Sequence, residues 1–271
     1  MKTFFILTIL ILSFTNEEIF LSEGKEEEKD QLEIEYIINT GPDGGAILSY
    51  PKNLSTDKKH GIIVWGPGGG SEPAACEGII RRLASHGFVV IAVSVSPGDA
   101  SKAIEALDWL NEKNQLSKDP LYEKLDMEIV GCSGHSMGGL EAEQALIKDK
   151  RVKTSILNNS GDWDHVAMGY VDADKPIAIV YGNNGIERPN AEGDYENQNV
   201  KAPACLIMMD GANYGHSCGP FEGMAATIAW FRWHWGGEVY RKADFVGSSG
   251  KYINEKIIGQ EGYWKGECKN F

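Results

Sequence analysis

Positive charge is scarce in this chain. Lys and Arg number 26 against 39 Asp and Glu, for a net charge of -13. A surface of that sign repels a phosphate backbone, so nucleic acid is not an expected partner. Part of the excess is local: Glu26-Glu27-Glu28-Lys29-Asp30 reads as a solvated spacer rather than a site. Long apolar runs are also missing beyond the first residues. Residues 1–15, MKTFFILTILILSFT, set Lys2 before an apolar stretch from Phe4 to Phe14, the pattern of a secretory signal peptide. The stretch is short for a bilayer span, with a signal anchor as the alternative, and no small-x-small cleavage site follows it. No later segment is apolar enough to span, so stable membrane insertion after removal of the signal is not expected. Residues 16–31 are assigned to the acidic spacer and 32–271 to one domain, secreted and expected as a monomer.

Cysteine is sparse and odd in number, at five: Cys76, Cys132, Cys205, Cys218 and Cys268. In an oxidising compartment some should pair, with at least one left over. Cys132 and Cys205 lie in apolar, strand-like contexts and read as buried thiols. Cys76 and Cys218 fall near loops on the same predicted face, so a bridge between those two is one hypothesis. Internal repeats and dividing linkers are absent as well. With 271 residues and 42% hydrophobic content, the chain suffices for one sizeable core.

What is present is an alternation. Leu32–Ile38 and AILSYP (46–51) read as strands, as do GIIVW (61–65), FVVIAVS (88–94), MEIVGCS (127–133), VKTSILN (152–158), PIAIVYG (176–182) and ACLIMM (204–209). Several are short, continuously apolar and bounded by turn residues, which suits parallel strands buried on both faces. Between them Pro73–His86, Ala103–Asn111, Leu140–Lys148 and Gly223–Trp235 have helical spacing. The pattern predicts an α/β fold with a mostly parallel central sheet. Met208-Met209 and the cluster Trp230, Phe231, Trp233 and Trp235 read as core, and the tail from Tyr240 onward as docked on the domain.

Into that alternation the chain sets Gly134-His135-Ser136-Met137-Gly138. A Gly-x-Ser-x-Gly run between a strand and a helix is the pattern of a strained turn that exposes a serine, with glycines where any side chain would clash. The following helix aims its positive end at the site, and the Met137 N–H can donate to an oxyanion. A second donor should come from the loop after an earlier strand, and Trp65-Gly66-Pro67-Gly68-Gly69-Gly70 occupies that place. This loop lacks the Lys-Ser/Thr ending of a nucleotide loop and the spacing of a dinucleotide loop. A general base should follow the last strand. His216 lies just beyond ACLIMM, whereas His60, His86, His135, His165 and His234 compete poorly by position.

With these pieces in place the chain resembles the secreted polyester-hydrolase (PET hydrolase) and cutinase-like branch of the α/β-hydrolases, related to dienelactone hydrolases. The resemblance is carried by HGIIVWGPGGGSEPAACEGIIRRLASHGFVVIAVS, by VGCSGHSMGG, by the histidine segment and by AWFRWHW, and covers most of residues 45–235. It implies the α/β-hydrolase fold with helices on both faces of the sheet. It also implies cleavage of carboxylic esters, small or polymeric, through an acyl-serine, with no cofactor and no metal. Ser136 would be the nucleophile, His216 the base, and the N–H groups of Met137 and Gly69 the oxyanion donors.

The family's aspartate has no clear counterpart. In Gly182-Asn183-Asn184-Gly185-Ile186-Glu187-Arg188-Pro189, counting back from the proline puts Asn184 at the acid position. Glu187 is the nearest carboxylate and the preferred candidate, since orienting an imidazolium needs a buried carboxylate rather than aspartate as such. Asp162 and Asp194 are further options. Gly69 also departs from the aromatic residue usual at the oxyanion position. Trp163 can supply one wall of the cleft or pack in the core. Short or medium acyl esters are the expected substrates. The alternatives are an inactive binding protein on the same fold, or a dienelactone hydrolase, peptidase or thioesterase.

Overall fold

A computed structural model describes residues 31–210, 223–254 and 264–271, and the part from Leu32 onward packs as one compact unit. Its nine strands, in chain order, are β1 (Ile34–Thr40), β2 (Ala46–Pro51), β3 (His60–Gly66), β4 (Val89–Ala92), β5 (Leu125–His135), β6 (Val152–Asn158), β7 (Ile177–Gly182), β8 (Ala204–Met209) and β9 (Trp264–Lys269). They form one sheet in the order β1-β2-β4-β3-β5-β6-β7-β8-β9. Pairing is parallel from β4 through β8 and antiparallel at β1–β2, β2–β4 and β8–β9. This is the α/β-hydrolase arrangement that the motifs predicted.

Among the described residues seven α-helices accompany the strands: α1 (Glu77–Ser85), α2 (Ser101–Gln115), α3 (Met137–Lys148), α4 (Arg188–Glu196), α5 (Gly223–His234), α6 (Lys242–Phe245) and α7 (Lys251–Asn254). They cover both faces. Along β3, Ile62 and Val64 join a core with Leu107 and Leu110 of α2, Leu146 of α3 and Ala191 of α4. Their neighbours Ile63 and Trp65 join a core with Ile79 and Leu83 of α1 and Trp230 and Phe231 of α5. Alternate strand residues point to opposite faces, so a strand packed on both sides must be apolar throughout. That is why β3 and β4 read as unbroken apolar runs. Met209 and Trp230 lie in the core as expected. No helix among the described residues is long and apolar enough to cross a membrane.

Two features differ from the sequence reading. In the segment GNNGIERPN the turn ends at Glu187 and Arg188 already begins α4, with Pro189 in its first turn, where its missing N–H costs nothing. And Cys205 is not a thiol. It pairs with Cys268, because β9 returns antiparallel to β8 and places the two residues directly opposite each other. Nothing in the local sequence announced that edge strand. Cys132 is a buried thiol, with burial pushing its pKa up. Cys76 is buried at the turn before α1, and Cys218 lies outside the described residues.

Candidate active site

Strand β5 ends at His135, α3 begins at Met137, and Ser136 alone makes the turn with φ 53° and ψ -118°. A non-glycine residue in such a conformation costs on the order of 1–3 kcal/mol and persists only where its surroundings impose it. Here the surroundings are glycines pressed together. A Cβ on Gly138 would stand 1.9 Å from the Gly66 oxygen, and one on Gly134 would stand 2.4 Å from the Gly138 carbonyl carbon. The strand end, the helix start and the glycine loop therefore meet backbone to backbone.

Both peptide groups of Ser136 are tied to the end of β6. Its N–H donates to the Asn158 carbonyl at 3.0 Å. Its carbonyl accepts the Ser160 hydroxyl at 2.7 Å, besides the helical N–H groups of Gly139 and Leu140. The Asn158 side chain is itself wedged in the core, donating to Ser133 Oγ at 3.1 Å and accepting from Thr227 Oγ1 at 2.9 Å. Asn159, at φ 43°, accepts the Gly182 N–H at 2.9 Å through its side-chain oxygen. Thus the triplet Asn158-Asn159-Ser160 links the serine turn to the end of β7. Sequence reasoning passed over it, although three polar residues closing an apolar strand were the available signal.

The glycine loop lies against the helix start. A Cβ on Gly69 would stand 2.9 Å from Met137 Cγ, and one on Gly68 would stand 3.0 Å from His135 Nδ1. The Ser136 hydroxyl makes no capping bond to α3, so the positive end of that helix faces the cleft.

Ser136, Met137, Leu140, Ser160, Gly161, Trp163 and Glu187 line this cleft together. Trp163 is 72% exposed, which places it in the cleft wall and not in the core. A more open recess at Leu116–Pro120 is lined by one loop, at the edge from which the parallel strands start, and has no element of the site.

The four acid candidates occupy different places. Glu187 precedes α4 and lines the cleft, its Oε2 accepting from Asn190 Nδ2 at 2.8 Å. Asn184 is exposed on the turn after β7. Asp162 uses Oδ2 to accept the N–H groups of Val166 and Ala167, both at 3.2 Å, folding its own loop. Asp194 is wholly buried under α4, where it accepts the Asp162 N–H at 2.6 Å and stands 3.4 Å from His165 Nδ1. Burial pushes the Asp194 carboxyl up to about 7. Burial and the nearby Asp194 and Asp162 likewise hold Glu143, also wholly buried, well above the usual carboxylate range. A group whose charged form is disfavoured in this way is ill suited to stabilise an imidazolium.

His216 lies outside the described residues. Of the other histidines, His86 and His234 are pushed down to about 4 and about 3 by burial, and His60 bonds the Gly87 carbonyl at 2.8 Å. Neither these nor His135 or His165 line the cleft. No group of three or more His, Cys, Asp or Glu among the described residues is arranged to hold a metal ion.

A family model described as PET hydrolase-like matches residues 31–252. Among curated proteins the chain is 29% identical over 101 residues to cutinase 1 of Thermobifida cellulosilytica, covering 35% of this chain and 37% of the relative. It is 30% identical over 102 residues to cutinase est1 of Thermobifida alba, covering 35% and 32%. It is 29% identical over 102 residues to a bis(hydroxyethyl) terephthalate hydrolase of Streptomyces coelicolor, covering 35% and 31%. The chain spans about a third of the length of the curated relatives it matches.

Proposed function

The chain belongs to the PET hydrolase-like family, and from that premise we propose that it is a serine hydrolase of carboxylic esters. The observation that carries the reading is Ser136 itself. It is held at φ 53° on the floor of a cleft, at the positive end of α3 and beside the Gly66–Gly70 loop. Strain of this kind, imposed by a crowded backbone at a cleft, is where function is looked for first.

In this reading Ser136 Oγ attacks the ester carbonyl while His216 accepts its proton. The tetrahedral oxyanion rests on the N–H groups of Met137 and Gly69, whose negative partner develops only in the transition state. His216 returns the proton to the leaving alcohol, then activates water to release the acid. Glu187, the one acid candidate in the cleft lining, is the carboxylate assigned to orient His216. No cofactor enters this sequence. The exposed Trp163 ring forms one wall, and Gly69 adds no second ring, which favours short and medium acyl groups over bulky aromatic ones. The Cys205–Cys268 bridge fits secretion into an oxidising compartment.

A fluorophosphonate probe tests the assignment, with labelling expected at Ser136 and abolished in Ser136→Ala. An unlabelled wild-type chain would leave the fold as a binding protein. A panel of p-nitrophenyl esters of graded acyl length, beside amides and a dienelactone, reports the reaction class. Faster turnover of the amides or the lactone would overturn the ester assignment.

A further inference from the structure

Resting on the hydrolase reading, we propose that Ser160 is a positioning residue for the oxyanion hole, acting through the peptide unit that joins Ser136 to Met137. The Ser136 carbonyl and the Met137 N–H belong to one planar amide, so a bond to the oxygen at one end sets the direction of the hydrogen at the other. The Ser160 hydroxyl donates to that carbonyl at 2.7 Å. Its two other partners, the N–H groups of Gly139 at 2.8 Å and Leu140 at 3.2 Å, come from the helix that the amide itself begins. Ser160 is the donor supplied from outside the helix, by a different strand end.

Three further observations favour orientation over filling. Ser160 is 1% exposed and packed against bare backbone, since a Cβ on Gly139 would stand 2.4 Å from Ser160 Cβ. A hydroxyl held that tightly transmits its geometry. It also lines the cleft beside Ser136 and Met137. Finally, the opposite peptide of Ser136 is held from the same segment, by the Asn158 carbonyl at 3.0 Å. The two bonds bracket the strained residue and resist its relaxation. A bonded carbonyl also polarises its amide and makes the N–H a stronger donor. The gain appears when the oxyanion forms, so it belongs to the transition state and not to ground-state binding.

The test compares Ser160→Ala, which removes the donor, with Ser160→Cys, which keeps the volume against Gly139 but offers only a weak donor. In the full chain, both should lower kcat on p-nitrophenyl butyrate by about 10-fold, an order below the loss for a direct oxyanion donor, with KM within about 2-fold. Affinity for a boronic acid that forms a tetrahedral adduct on Ser136 should fall by the same factor. If Ser160→Cys keeps wild-type kcat and boronate affinity, the hydroxyl serves packing alone and the proposal is overturned, whether or not Ser160→Ala folds. A rise confined to KM overturns it as well. In each of these outcomes the wild-type chain still labels with a fluorophosphonate. A wild-type chain that neither labels nor hydrolyses esters removes the hydrolase reading, and the role of Ser160 with it.

Discussion

Gly138 meets Gly66 so closely that a Cβ on the former would stand 1.9 Å from the carbonyl oxygen of the latter. Both partners are backbone, one at the start of α3 and one at the end of β3, and neither can move without moving a central element. Gly138→Ala is therefore expected to cost about 3 kcal/mol or more, beyond ordinary overpacking of side chains. It should also abolish probe labelling at Ser136. Gly70→Ala is the contrast. Gly70 sits at φ 71° with nothing near its Cβ position, so only backbone strain of about 1 kcal/mol is expected. Thermal melts of the two variants check the difference.

On the proposed role of Glu187 as the triad acid, Glu187→Gln should lower kcat by about 10²–10⁴-fold, and with the side chain half-exposed in the cleft the melting temperature should change little. Asp162→Asn and Asp194→Asn should leave kcat within about 3-fold, a modest loop effect, since Oδ2 of each accepts backbone N–H groups, Asp194 Oδ1 faces His165, and neither carboxylate is in the cleft lining. Steady-state kinetics on one ester decides. A Glu187→Gln enzyme at wild-type kcat would exclude Glu187 as the acid.

The buried acids should contribute a loss of stability as pH rises from about 4 to about 7, opposed by the buried His86 and His234, and Glu143→Gln should remove its share of that loss. Asp194 releases its proton near 3.8 when unfolded and near 7 when folded. Glu143 is shifted in the same direction from 4.5. Between those values the folded chain holds more protons than the unfolded one, so raising the pH favours unfolding. The contribution is fully present below the unfolded values and lost on passing the folded ones. Glutamine is neutral throughout and carries no such penalty. Denaturant unfolding at pH 5 and pH 8 measures it, with the variant gaining on the wild type at the higher pH.

Cys268→Ser should destabilise the chain by about 4 kcal/mol, the loop entropy expected for the 63-residue separation of the bridge. The loss should show in denaturant midpoints under oxidising conditions and vanish when wild type and variant are compared after reduction in denaturant.

The scaffold was legible in the sequence because its signals are local. Parallel strands buried on both faces are apolar at every position, as in β3 and β4, and each is followed by turn residues. Ser136 was legible for the same reason: the glycines at 134 and 138 record a crowding that no side chain survives. The place of Glu187 was harder to read, since Pro189 looked like the end of a turn and lies in the first turn of α4. The partner of Cys205 was invisible, because β9 lies 63 residues away and carries no strand signature strong enough to predict its pairing.

By itself the sequence determined the strands β1 to β8, the helices α1, α2, α3 and α5, the turn that carries Ser136 and the glycine loop that faces it, all through short-range constraints on backbone conformation and burial. Only the tertiary structure decided which polar groups meet. It brought Glu187 and Trp163 to the cleft, sent Asp194 into the core beside Glu143, closed β9 onto β8 through the Cys205–Cys268 bridge, and set the Ser160 hydroxyl on the Ser136 carbonyl. Those contacts join residues distant in the chain, and hydrogen-bonding partners at that separation are chosen by packing, for which no local pattern codes.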